Sequence, residues 1–86
     1  MSAKEMFEEW GFYEKDEFPN IITYHKESSD GVYELLGIEF VLNHHCISMY
    51  RKIGNKFNYG AFNGIDKKLL KAINKQVEEL GWNNEV

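Results

Sequence analysis

The sequence predicts an α+β domain of order α-β-β-β-β-α, with two helices packed on one face of an antiparallel meander. Three observations predict it. Apolar residues recur at helical spacing at the two ends of the chain, over residues 3–10 and 69–80. Between them, residues 20–62 are rich in β-branched and aromatic side chains. Short segments holding Asp, Asn or Gly cut that stretch at lengths suited to hairpins. Eighty-six residues allow one domain, 1–86, with a single small core.

The first element is a short helix. Ala3, Met6, Phe7 and Trp10 stand at i, i+3, i+4 and i+7 and make one apolar stripe. Ser2 and Glu5 have the spacing of a capping box, in which each side chain satisfies an otherwise orphaned amide. Gly11 fits the left-handed position that ends many helices, and Phe12 then folds back on Phe7.

Pro19 marks the entry to the sheet, and Ile21-Ile22-Thr23-Tyr24 has strong β propensity. Ser29-Asp30-Gly31 suits a three-residue hairpin loop, a register that pairs Lys26 with Glu34, Tyr24 with Leu36 and Ile22 with Ile38. In the next hairpin, a two-residue Asn43-His44 turn sets Phe40 against Ile47 and Ile38 against Met49. Gly54-Asn55 is compatible with a type II′ turn leading into a fourth strand at 56–62. One face then gathers Ile22, Tyr24, Leu36, Ile38, Phe40, Ile47 and Met49 as the seat for both helices.

The closing helix covers residues 67–80. Asp66 caps it, Ile65 and Leu70 form a hydrophobic staple, and Leu69, Leu70, Ile73, Val77 and Leu80 make its stripe. Gly81 ends it and places Trp82 against Val77. Lys67, Lys68, Lys71 and Lys75 crowd its first turns while Glu78 and Glu79 stand at its end, an order that opposes the helix dipole.

The reverse face of the sheet carries Tyr33, Leu35, Gly37, Val41, Cys46 and Tyr50, joined by Phe57 and Tyr59. With both helices on the other side, these rings have no cover. A contiguous aromatic patch of that kind marks an interaction surface. The leading expectation is therefore a non-catalytic protein that binds a protein partner or itself through Tyr33, Leu35, Tyr50, Phe57 and Tyr59.

Charge supplies two competing readings. The net charge is −4, yet residues 51–75 hold seven basic residues against Asp66 alone. Arg51, Lys52, Lys56, Lys67 and Lys68, with Phe57 and Tyr59 among them, suit a single-stranded nucleic acid, whose bases stack on rings and whose phosphates meet cations. Bulk acidity opposes that reading. The segment also does not fit the RNA-recognition motif's aromatic pattern, and the element order differs from that fold. The second alternative is an acidic decoy for a host nucleic-acid-binding protein, using Glu5, Glu8, Glu9, Glu14, Asp16 and Glu17.

No catalytic, metal or cofactor site is expected. His44-His45-Cys46 offers only His44 and Cys46 on one strand face, and a structural zinc takes four ligands. Cys46 beside a sequence-adjacent His is not the spatial pairing that activates a thiolate. No phosphate-binding glycine loop is present, and a domain this small leaves little room for a deep pocket. A single cysteine excludes an internal disulfide and fits a reducing compartment. No apolar run is long enough to span a membrane, and the N-terminal residues lack the apolar core of a signal peptide.

The run Leu70-Lys71-Ala72-Ile73-Asn74-Lys75-Gln76-Val77-Glu78-Glu79-Leu80-Gly81-Trp82 resembles the ending of small proteins encoded by phages and prophages of Gram-positive bacteria. The opening Ala3-Lys4-Glu5-Met6-Phe7-Glu8-Glu9-Trp10-Gly11-Phe12 is similar to theirs, with Trp10 in place of an aliphatic residue. That family has no assigned activity, so the resemblance carries no functional residue. It implies only an origin in a bacterial cytoplasm.

Overall fold

The computed structural model describes residues 1–16, 18–27, 35–59 and 64–84. Its elements are α1 (Ala3–Glu9), β1 (Tyr13–Lys15), β2 (Ile21–Glu27), β3 (Leu35–Val41), β4 (Cys46–Ile53), β5 (Lys56–Tyr59), α2 (Lys67–Glu79) and a 3₁₀ turn at Trp82–Asn84. The strands form one antiparallel sheet in the order β1-β2-β3-β4-β5. The expected class and meander hold, with one strand more than the four anticipated. The addition, β1, is three exposed residues on the edge of β2.

Local chemistry sets both helix starts. Ser2 Oγ accepts from the Glu5 N–H at 3.1 Å, and Glu5 Oε1 accepts from the Ser2 N–H at 3.0 Å, which completes the capping box. Asp66 Oδ1 accepts from the Leu69 N–H at 2.8 Å. At the end of α1, Gly11 takes φ +91°. The Gly11 N–H then donates to the Glu8 carbonyl and the Phe12 N–H to the Phe7 carbonyl, the paired bonds of a Schellman stop. Phe12 meets Phe7 edge-on with centroids 5.7 Å apart.

The stripe of α2 departs from expectation by one position. Its buried residues are Leu69, Ala72, Ile73 and Gln76, a strict i, i+3, i+4, i+7 set. Leu70 lies about 100° further round the helix and is 47% exposed. Trp82 packs against the core, stacks on His45 at 5.1 Å and lies 6.3 Å from Phe40. The inverted charge order of α2 has a tertiary cause. Glu79 Oε2 accepts from the Ala3 N–H at 2.8 Å, so the carboxylate at the end of α2 caps the start of α1. Lys68 Nζ stands 4.7 Å from the ring of Trp10, the C-cap residue of α1. The helices run antiparallel, and charges misplaced for the dipole of α2 are well placed for that of α1.

In the sheet, the second hairpin has the expected register, Phe40 against Ile47 and Ile38 against Met49. Its turn is four residues, Leu42–His45, with His45 at φ +50°. The first hairpin is displaced by two residues: Lys26 opposes Leu36, Tyr24 opposes Ile38 and Ile22 opposes Phe40. Because the shift is even, every side chain keeps its expected face. The loop expected at Ser29-Asp30-Gly31 lies outside the described residues, as does Glu34. At the third turn Gly54 has positive φ and Asn55 does not, the pattern of type II′.

Both helices cover the same face of the sheet. Phe7, Phe12, Tyr24, Ile38, Phe40, Leu69, Ala72 and Ile73 form the buried core. Tyr24 lies parallel to Phe7 at 4.0 Å, and its hydroxyl donates to Gln76 Oε1 at 2.8 Å. Burial, and then the charges of Glu14, Glu79 and Glu8, push the Tyr24 hydroxyl far above its ordinary pKa, so it stays a donor at any physiological pH.

Candidate functional site

The reverse face is built around a glycine. Gly37 pairs with Tyr50 on β4 and with His25 on β2. A Cβ on Gly37 would overlap the Tyr50 ring at Cζ, so the ring lies across the strand in the space a side chain would fill. Tyr50 Oη thereby reaches His25 Nε2 and shares a 2.7 Å hydrogen bond with it. Phe57 and Tyr59 close over the outer edge of Tyr50 with centroids at 5.2 and 5.4 Å. Tyr13 stands edge-on to His25 from the opposite side. The rings form a row crossing the sheet from β1 to β5.

This arrangement corrects one expectation directly. Tyr50, expected to be a bare contact residue, is only 3% exposed. It is the platform under the neighbouring rings. Leu35 is half-buried opposite Lys52, and Tyr33 lies outside the described residues. Phe57 and Tyr59 do face solvent, at 51% and 64% exposure. The exposed rings of this face therefore lie at its two edges, Phe57 and Tyr59 on β5 and Tyr13 on β1.

β5 is an edge strand, and each of its four residues is exposed. Ile53 and Lys56 flank the two-residue turn, so they form a hydrogen-bonded pair and the pairing alternates from there. Phe57 and Tyr59 consequently turn their backbone N–H and C=O groups away from β4, toward solvent. Residues 46–59 carry Arg51, Lys52 and Lys56 and no acid. Lys52 Nζ lies 5.6 Å from the Phe57 ring.

The five basic residues considered for nucleic acid do not share one surface. Lys52 shares the reverse face with Phe57. Arg51 and Lys56 fall on the alternate strand positions, which face the helix side. Lys67 and Lys68 open α2, with Lys68 over Trp10. Among the acidic set, Glu5 is committed to the capping box and Glu14 pairs with Lys4 at 3.7 Å. Glu17 is outside the described residues.

Cys46 is exposed. It begins β4, four residues before Tyr50, and His25 lies opposite the Tyr50 end of that strand. Among the described residues no group of three or more His, Cys, Asp or Glu is placed to hold a metal ion, and no helix is long and apolar enough to cross a membrane. A cleft of about 470 Å³ lies between the helices, lined by Met1, Met6, Glu9, Trp10, Lys68 and Lys71, in a domain expected to have little room for one. No family model, curated protein or solved structure matches the chain.

Proposed function

We propose that the protein is a non-catalytic binding module whose β5 edge receives an extended, acidic segment of a partner protein as a sixth strand. The observation that carries this reading is β5 itself: an exposed edge strand with outward backbone groups, two exposed rings and no carboxylate in residues 46–59. In strand addition, backbone hydrogen bonds supply affinity, and side chains at alternate positions supply selectivity. Here the exposed rings of Phe57 and Tyr59 meet apolar residues, and Lys52 and Lys56 favour carboxylates on the incoming strand. Edge lysines also repel basic strands and discourage non-selective pairing, so the same side chains serve selection and solubility. The buried Tyr50–His25 pair keeps the platform rigid, which lowers the entropy lost on docking.

Single-stranded nucleic acid is the competing occupant, favoured by the exposed rings beside Lys52. The division of the basic residues between two layers weighs against it. The test uses isotope-labelled protein and three probes: an alternating Glu/Val nonapeptide, its Lys/Val counterpart and oligothymidylate. The expected result is shift changes confined to residues 51–59, slowed exchange of the Phe57 and Tyr59 amides with the acidic peptide, and at least about tenfold weaker binding of the basic peptide. Phe57→Ser with Tyr59→Ser should remove binding and leave the circular dichroism unchanged. Preferential binding of oligothymidylate, or self-association through β5 without peptide, would overturn the assignment.

A further inference from the structure

The cleft between α1 and α2 has a composition that its helix packing does not require. Its floor is apolar, from Met1, Met6 and Trp10. Methionine is unbranched and adapts to irregular shapes, and Trp10 is half-buried against the core. Its rim is cationic, from Lys68 and Lys71. A third ammonium, Lys26 Nζ, lies 5.1 Å from the Trp10 ring, with Lys68 Nζ 4.7 Å from it. Against these three cations the lining offers one carboxylate, Glu9.

Two further observations separate this cluster from an ordinary solvated lysine face. Among the described residues, Lys26, Lys68 and Lys71 form no ion pair, whereas Lys4 and Lys75 each reach a carboxylate. The chain as a whole is acidic, at −4, so the cations of the cleft stand out against the bulk charge. A concave site with low-dielectric walls and one sign of charge concentrates counter-ions. Its volume of about 470 Å³ falls within the range of small-ligand sites. Packing accounts for Lys68 at the C-terminal end of α1 and for Lys26 over Trp10 and Phe12, but it gives no reason for Lys71 to line the cleft.

We infer that this cleft binds a small amphipathic anion, a short-chain aliphatic carboxylate, with its chain on Met1, Met6 and Trp10 and its carboxylate between Lys68 and Lys71. The Lys68 ammonium sits against Trp10 and is held in place by cation–π attraction, so the carboxylate meets one donor that is already positioned. The aliphatic body follows from the floor: the Trp10 ring already carries the Lys26 and Lys68 ammonium groups at 5.1 and 4.7 Å, whereas the methionines accept a flexible chain. The site is in a different layer from β5 and does not depend on the strand-addition reading.

The test is titration of the labelled full chain with octanoate, octanol and acetate, read by amide shifts and by Trp10 fluorescence in a Trp82→Phe background. Octanoate should perturb Met6, Glu9, Trp10, Lys68 and Lys71 and bind at least about tenfold tighter than octanol or acetate, because only octanoate uses both floor and rim. Lys68→Gln with Lys71→Gln should bring octanoate to the affinity of octanol while the circular dichroism stays that of the folded chain. Should that double variant fail to fold, Glu9→Gln serves instead and should tighten octanoate about threefold by removing the opposing charge. Equal binding of octanoate and octanol, shifts outside the cleft, or no tightening in Glu9→Gln would overturn the assignment. Shifts confined to residues 51–59 would do so as well, and would leave the β5 proposal standing.

Discussion

Tyr24 and Tyr50 lie on opposite faces of the same sheet, and each buries a hydroxyl on a polar partner: Gln76 at 2.8 Å for Tyr24 and His25 at 2.7 Å for Tyr50. Their surroundings differ. Tyr24 is enclosed by two helices, with Phe7 stacked upon it and Gln76 delivered from 52 residues away. Tyr50 is enclosed by the sheet's own side chains: a glycine beneath it and rings from the edge strand at its margin. A sheet face can thus be closed by a second layer, or by one large side chain laid over a missing one. The first solution fixes the fold. The second leaves a rigid surface with open edges, which suits docking.

The comparison can be broken most severely from the helix side. Phe7 is fully buried and touches Phe12, Tyr24 and Phe40. Phe7→Ala should cost about 3–5 kcal/mol, a large share of the stability of a domain this size, with the midpoint of urea unfolding as the measure. On the other face Phe57→Ala, half-exposed in the native state, should cost less than about 1 kcal/mol. Equal losses would mean that the β5 rings are core rather than edge.

Gly37→Ala tests the reverse face at its seat. The added methyl group displaces the Tyr50 ring and breaks its bond to His25, at about 1–3 kcal/mol of overpacking. Combined with Tyr50→Ala, which clears the space, the glycine substitution should cost almost nothing. The non-additivity of the two changes is the signature of contact between them. Additive losses would show that the ring does not depend on the glycine.

How far the fold was legible follows the range of the interactions. The capping box of Ser2 and Glu5, the Asp66 cap and the stops at Gly11 and Gly81 are closed within a few residues, so the sequence specifies them. The faces of β2, β3 and β4 were legible because alternation has a period of two, and the two-residue displacement of the first hairpin leaves it intact. β1 was not legible, because Tyr13-Glu14-Lys15 are all exposed and show no alternation. The burial of Tyr50 is not legible for a different reason: it depends on Gly37 across the strand and His25 one strand further. A glycine in mid-strand, on the same face as a row of aromatics, was the available signal. The inter-helix cleft and the Glu79 cap depend on antiparallel helix packing, which no local pattern records.

Removing single polar atoms gives a smaller and sharper comparison of the two tyrosines. Tyr24→Phe leaves Gln76 Oε1 without its donor beneath a helix, which costs about 1–3 kcal/mol. Tyr50→Phe should fall in the same range, because His25 and Tyr50 are both buried. Glu79→Ala removes the partner of the Ala3 N–H and should cost about 0.5–2 kcal/mol, read as faster exchange of that amide and a lower midpoint. Retention of slow Ala3 exchange would show that Glu79 is a bystander.

The smallest effect is an acid titration of the α1 start. Glu5 has its carboxyl pKa lowered from the ordinary 4.5, first by the Ser2 backbone N–H and then by the Ser2 hydroxyl. A folded-state pKa below the unfolded one means that the contribution is fully present above pH 4.5. It fades as acid protonates Glu5, over the interval running downward from that value. Below it the Ser2 N–H loses its charged acceptor, while the Ser2 Oγ to Glu5 N–H bond survives, so half of the capping box persists. The Ser2 amide shift should therefore follow the Glu5 titration while the Glu5 amide shift moves much less, and Glu5→Gln should abolish the pH dependence at Ser2. Because this device lies on the helix side, the rings of Tyr13, Tyr50 and Tyr59 should not respond to it. A coupled change there would mean that the two faces are not independent.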